Sequence, residues 1–166
     1  MVSFDRLRNA WPAFAAAASL AMLATAHAFE TFGGYAPCNL CLRQREIYWG
    51  ALWVALAGMA LVRLRRLSPR ALDLMLAAGF LAGATVAAYH AGAEWKWWPG
   101  PTSCSGGGGV ALHDLSSLLA GAKVHPPACD EAAWRLFGVS MAGYNTLISL
   151  GLASAGFVAT FRRDPT

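Results

Sequence analysis

Charge is what this sequence has little of. Of its 166 residues only 13% are Asp, Glu, Lys or Arg, while 57% are hydrophobic. Soluble domains carry about a quarter charged residues, so a water-soluble core is excluded. A second close pair of metal-ligating residues is also missing. Cys38 and Cys41 have no further C-x-x-C or H-x-x-x-H to complete a zinc site, although His90, His113 and His125 fall on the same side of the chain. Leu42, not His, follows Cys41, which excludes c-type haem attachment. There is no internal repeat, and Gly106 to Gly109 is the one low-complexity tract. Nor is there a basic stripe: the net charge of +4 comes from arginines at the ends of apolar segments, which speaks for membrane topology and against nucleic acid as a partner.

What is present is apolar length. Four stretches approach the roughly 17 to 25 residues that cross a hydrocarbon core. In lipid every backbone polar group must be paired within its own segment, so stretches of this kind become helices. The expectation is an all-α integral membrane four-helix bundle forming one domain, with helices at about 11–32, 45–62, 71–90 and 136–161. Loops at about 33–44 and 91–135 join the first to the second and the third to the fourth. Arg6, Arg8, Arg63, Arg65, Arg66, Arg70, Arg162 and Arg163 cluster on one side, which places both termini in the cytoplasm and all four cysteines on the outer face. A competing reading makes the first stretch a cleaved signal peptide with Ala26-His27-Ala28 as its site. Its apolar run is longer than a usual signal core, and a mature protein starting at Phe29 would sink the four-helix reading.

The outer loops carry the chemistry. Cys38-Asn39-Leu40-Cys41 follows Pro37 and runs into the second helix. A disulfide at this spacing closes so few residues that it removes little chain entropy, so a reducible, redox-active pair is the better reading than a staple. The helix N-terminus, and Arg45 one turn further on, should lower the pKa of Cys41 and favour its thiolate. Cys104 and Cys129 enclose a long loop, where a bridge stabilises by roughly 3 to 4 kcal/mol. A structural staple is therefore open for that pair, against which stands the glycine run beside Cys104, better suited to a thiol that must meet two partners in turn.

Other features are weaker. His90 is expected near the outer surface close to Arg45, as a functional group or as an interfacial histidine facing water. His27 and His90 could ligate a b-type haem, which leaves the cysteines unexplained. Trp95, Trp97 and Trp98 suggest an interfacial anchor, and Val110, Leu112, Leu115, Leu118 and Leu119 a helix lying flat in the headgroup zone. In the fourth helix Gly143, Gly151 and Ala155 suggest close packing, and Asn145 an interhelical hydrogen bond.

Taken in order, Pro37-Cys38, Leu40-Cys41, Gln44-Arg45, Tyr89-His90-Ala91-Gly92, Trp98, Gly100-Pro101, Cys104, Cys129-Asp130 and Ala142-Gly143-Tyr144-Asn145 resemble the bacterial disulfide bond formation protein B (DsbB) family. The resemblance implies a multi-pass inner-membrane protein with its cysteines facing the periplasm. It implies Cys38, Cys41, Cys104 and Cys129 as catalytic residues, with no metal. A thioredoxin-fold, DsbA-like dithiol partner would attack a Cys104–Cys129 disulfide at Cys104; Cys129 would then attack Cys38. Cys41 would be freed to react with a membrane quinone, ubiquinone ahead of menaquinone, with Arg45 and His90 near its oxygens. A scaffold held by inert disulfides, a haem carrier and a vitamin K epoxide reductase-like protein are the alternatives. The last is expected to carry its C-x-x-C late in the bundle.

Overall fold

The computed structural model describes residues 10–101 and 128–161. Arg6, Arg8, Cys104, the Gly106 to Gly109 run, the flat helix around Leu115, His113, His125, Arg162 and Arg163 lie outside the described residues.

Four long helices account for most of what is described: α1 (Trp11–Thr31), α2 (Asn39–Arg63), α3 (Pro69–Glu94) and α4 (Met141–Phe161), with a two-residue hairpin, β1 (Arg135–Leu136) and β2 (Val139–Ser140), ahead of α4. Among the described residues α1, α3 and α4 are long and apolar enough to cross a membrane. At 25 residues α2 is as long, with Arg43, Arg45 and Glu46 in its first turns.

Local chemistry explains the boundaries. Pro12 and Pro69 sit in the first turns of α1 and α3, where the missing N–H costs nothing. Ser68 caps α3 by accepting the Ala71 N–H at 3.2 Å. Cys38 caps α2 in the same way, its sulfur accepting the Cys41 N–H at 3.3 Å. The second helix therefore starts six residues earlier than the apolar run suggests. At the other end, Arg65 and Lys96 take left-handed φ values of 56° and 61°. Arg66 then bonds back to Leu61 and Trp97 to Gly92, closing α2 and α3 with Schellman turns. The fourth helix starts at Met141 because Phe137 and Gly138, both at positive φ, turn the preceding residues into the hairpin.

The helices pack in sequence, with the most extensive contact between α3 and α4; α1 leans on α2 and meets α4 little. Trp11, Tyr48, Leu72, Leu76, Phe80 and Leu152 form the centre of the core. Small residues set the helix spacing, but at positions other than those the sequence points to. A Cβ on Gly156 would lie 2.9 Å from that of Ala77 and 3.0 Å from the Trp11 ring, and one on Gly58 would strike Leu72. Gly151 faces open space and Ala155 is exposed, so neither makes the expected close packing. Gly143 is close-packed, but against Val139 of the hairpin. Large apolar side chains such as Phe14, Leu20, Trp53, Met75 and Leu147 point outward, as suits a bundle whose solvent is lipid.

Candidate active site

The N-terminal end of α2 meets the C-terminal end of α3 at the cysteine pair. Cys38 and Cys41 are free thiols whose sulfurs lie 3.0 Å apart, close enough for a hydrogen bond, with Cys38 the more deeply buried. The Nε2 atom of His90 lies 3.6 Å from the Cys38 sulfur. His90 is 3% exposed, so the interfacial histidine facing water does not describe it. The fold brings together across 52 positions what sequence spacing could not: Cys38, Cys41 and His90 place one donor atom each within 4.8 Å of one another.

This geometry moves the favoured thiolate from Cys41, where sequence reasoning puts it, to Cys38. The Cys38 sulfur sits in front of the first turn of α2, where it accepts the Cys41 N–H at 3.3 Å. Its pKa is held well below the ordinary thiol range, chiefly by the hydrogen bond from the Cys41 thiol. Burial opposes this, and the hydrogen bonds from His90 and the Cys41 N–H add to it.

Behind His90 runs a chain of buried polar groups. Its Nδ1 lies 2.9 Å from Gln44 Nε2, and Gln44 Oε1 accepts from Asn145 Nδ2. Asn145 Oδ1 accepts from the Tyr48 hydroxyl at 2.6 Å and from Ser149 at 3.2 Å. On its other side His90 Nε2 is 3.7 Å from Glu94 Oε1, one turn along α3, and the Ser140 hydroxyl donates to Glu94 Oε2. Such groups are tolerated inside a bundle when each is satisfied by another. Asn145 does make the interhelical hydrogen bond expected of it. The sequence offered no reason to join Gln44, Tyr48, Glu94 and Ser149 to it, beyond polarity inside apolar stretches.

A cavity of about 550 Å³ opens beside the pair. Its walls come from α1, α2 and α4, with residues 128–136 along one side, and are mostly apolar, including Leu23, Phe29, Trp134 and Ile148. Cys38, Cys41, Gln44, Arg45, His90 and Glu94 supply its polar side. Arg45 is expected to pair with the Cys41 thiolate. In the structure its guanidinium donates to the Glu30 carboxylate and, at 3.1 Å, to the Ala26 carbonyl, tying α2 to α1 at the cavity wall. Cys129 is fully buried and disulfide-bonded. The tryptophans beyond α3 are exposed and packed edge to face, and the Trp98 indole donates to the Tyr89 carbonyl at 2.9 Å.

Comparison with known proteins identifies a family. The sequence profile described as Disulfide bond formation protein DsbB matches residues 8–159. A Disulfide bond formation protein B from Dechloromonas aromatica (strain RCB) is 29% identical over 165 residues, covering 94% of either chain. The profile spans all four helices and both cysteine pairs, and the chain therefore belongs to the DsbB family of disulfide bond formation proteins, which makes it a thiol–disulfide oxidoreductase.

Proposed function

We propose that this protein reoxidises a periplasmic DsbA-like dithiol protein and passes the electrons through its two cysteine pairs to a membrane quinone. The observation that carries the reading is a free dithiol, Cys38 buried and Cys41 partly exposed, on the polar side of an otherwise apolar cavity, with Cys129 already in a disulfide. An apolar pocket with a few convergent polar groups suits a flat ring carrying two carbonyl oxygens. The membrane is where such an acceptor dissolves. Ubiquinone is preferred to menaquinone.

In this reading the partner's thiolate attacks Cys104 of the Cys104–Cys129 disulfide and Cys129 leaves as a thiolate. The second partner thiol closes the partner's own disulfide, and the electron pair now resides on the Cys104 and Cys129 thiols. Cys129 attacks Cys38 of the oxidised Cys38–Cys41 pair, so Cys41 leaves. Cys104 then resolves the Cys129–Cys38 bond, which restores its own disulfide and leaves the Cys38–Cys41 dithiol. The quinone, when bound, takes two electrons and two protons as that dithiol returns to its disulfide. His90 stands where it can hold a proton at Nε2 beside the Cys38 sulfur, and Arg45 supplies a fixed positive charge to the cavity wall. Both termini lie in the cytoplasm, α2 crosses the membrane along with α1, α3 and α4, and the cysteines face the periplasm.

Trapping tests the order of events. With a reduced thioredoxin-fold partner, Cys129→Ser should accumulate a mixed disulfide through Cys104, and Cys104→Ser should form none. A Cys104→Ser protein that still cross-links to the partner through Cys129 would reverse the assignment.

A further inference from the structure

We propose that, in the dithiol state, Cys38, Cys41 and His90 form a binding site for a soft divalent cation, Zn²⁺ above the harder ions, which holds both sulfurs reduced and closes the pair to exchange. This goes beyond the electron route and does not depend on the identity of the acceptor.

Distances support it. Zinc takes thiolate at about 2.3 Å and imidazole at about 2.0 Å, so the donors of a tetrahedral site stand roughly 3.5 to 3.8 Å apart. The Cys38 sulfur and His90 Nε2 are already 3.6 Å apart. The two sulfurs, at 3.0 Å, must separate by less than about 1 Å, which a small rotation of the Cys41 side chain supplies. The fourth position faces the cavity, where Glu94 Oε1, 3.7 Å from His90 Nε2, or a water can complete the set.

The groups behind the histidine fit as well. To ligate through Nε2, His90 must carry its proton on Nδ1, which faces Gln44. Turning the Gln44 and Asn145 amides by half a turn presents Gln44 Oε1 to that proton and Gln44 Nε2 to Asn145 Oδ1. Asn145 Nδ2 then donates to the Tyr48 oxygen, whose hydroxyl donates to Ser149, and no backbone moves. A ligating histidine held by an oxygen acceptor behind it is the usual support of a zinc site. Thiolate ligands select zinc over calcium or magnesium. Near neutral pH, binding releases the Cys41 thiol proton to solvent, Cys38 being a thiolate already, and moves no electrons; the two thiolates cancel the ion's charge. Oxidation to the Cys38–Cys41 disulfide removes two of three ligands, so the site exists only in the reduced state.

The test uses full-length protein carrying Cys104→Ser and Cys129→Ser, so that Cys38 and Cys41 are the only thiols. Co²⁺ is titrated into the reduced form. The site predicts thiolate-to-cobalt charge-transfer bands with a tetrahedral visible spectrum, displacement of cobalt by Zn²⁺, and no bands after oxidation. His90→Ala should weaken cobalt binding at least about tenfold, and Gln44→Ala by about 10- to 100-fold through the imidazole's orientation. Absence of thiolate bands, or an affinity unchanged in His90→Ala, overturns the proposal. Should His90→Ala fail to fold, cadmium NMR on the parent decides: a shift for two sulfurs and one nitrogen supports the site, and one for sulfur and oxygen alone overturns it.

Discussion

Gln44 places its amide nitrogen 2.9 Å from Nδ1 of His90, and its amide oxygen is already taken by Asn145. The amide nitrogen can only donate, so His90 Nδ1 accepts and its proton resides on Nε2, toward the Cys38 sulfur. Two residues from α2 and α4 thereby set the tautomer of a third on α3, and through it the hydrogen bonding of the reactive thiol.

Removing Gln44 should therefore act at a distance. Gln44→Ala leaves the Asn145 amide and His90 Nδ1 buried without their partner, a cost of about 1–3 kcal/mol each where no water enters. Thermal melts in detergent should show the loss of stability, and turnover should fall further than the melting shift explains. A Gln44→Ala protein with parental turnover would detach the amide chain from the chemistry.

The Cys38 thiolate should persist well below neutral pH in the reduced protein, because its pKa is lowered in the folded state. It is present above that lowered pKa and lost only as pH falls through it. His90→Ala removes one donor to the Cys38 sulfur and should raise that pKa. The ultraviolet thiolate band, titrated with and without His90, checks both statements. A band that disappears around pH 8 to 9, the ordinary thiol range, contradicts them.

Arg45→Ala should weaken quinone use while leaving partner binding nearly unchanged. A charge-assisted hydrogen bond is worth roughly 1.5–3 kcal/mol, or about one to two orders of magnitude. Arg45→Lys should recover part of this, since an ammonium keeps the charge but cannot hold Glu30 and the Ala26 carbonyl as the guanidinium fork does. Steady-state kinetics with quinone and reduced partner varied separately resolve the two effects. A quinone KM and turnover within about twofold of the parent would remove Arg45 from the acceptor site.

Two glycines of α4 should respond oppositely to alanine. At Gly156 the new methyl meets Ala77 and Trp11, and overpacking of this kind costs about 1–3 kcal/mol. At Gly151 it meets nothing within 4 Å and should be neutral or slightly stabilising through helix propensity. Melting temperatures of the two variants measure the contrast.

The helices and the first cysteine pair were legible because their signals are local. Apolar length marked all four helices, and the spacing of Cys38 and Cys41 marked a reducible pair. Boundaries were less so: α2 begins at Asn39 because a sulfur caps it, and residues 135–140 turn as a hairpin despite their apolar character. The site's depth was hidden for a different reason. Gln44, Glu94 and Asn145 each look like an isolated polar residue along the chain, and only the crossing of α2, α3 and α4 makes them one network. Close packing at Gly156 and not at Gly151 likewise depends on helix rotation, which composition does not encode.

In the proposed function, electrons pass from a thiol partner through both cysteine pairs to a membrane quinone. Quinone reduction by the purified protein, driven by a reduced thioredoxin-fold partner, tests it directly across the four single Cys→Ser variants. The relay predicts steady quinone consumption by the parent and none above background with Cys38, Cys41, Cys104 or Cys129 changed. Near-parental quinone reduction by any one of the four, or a parent that oxidises the partner with no quinone consumed, contradicts it.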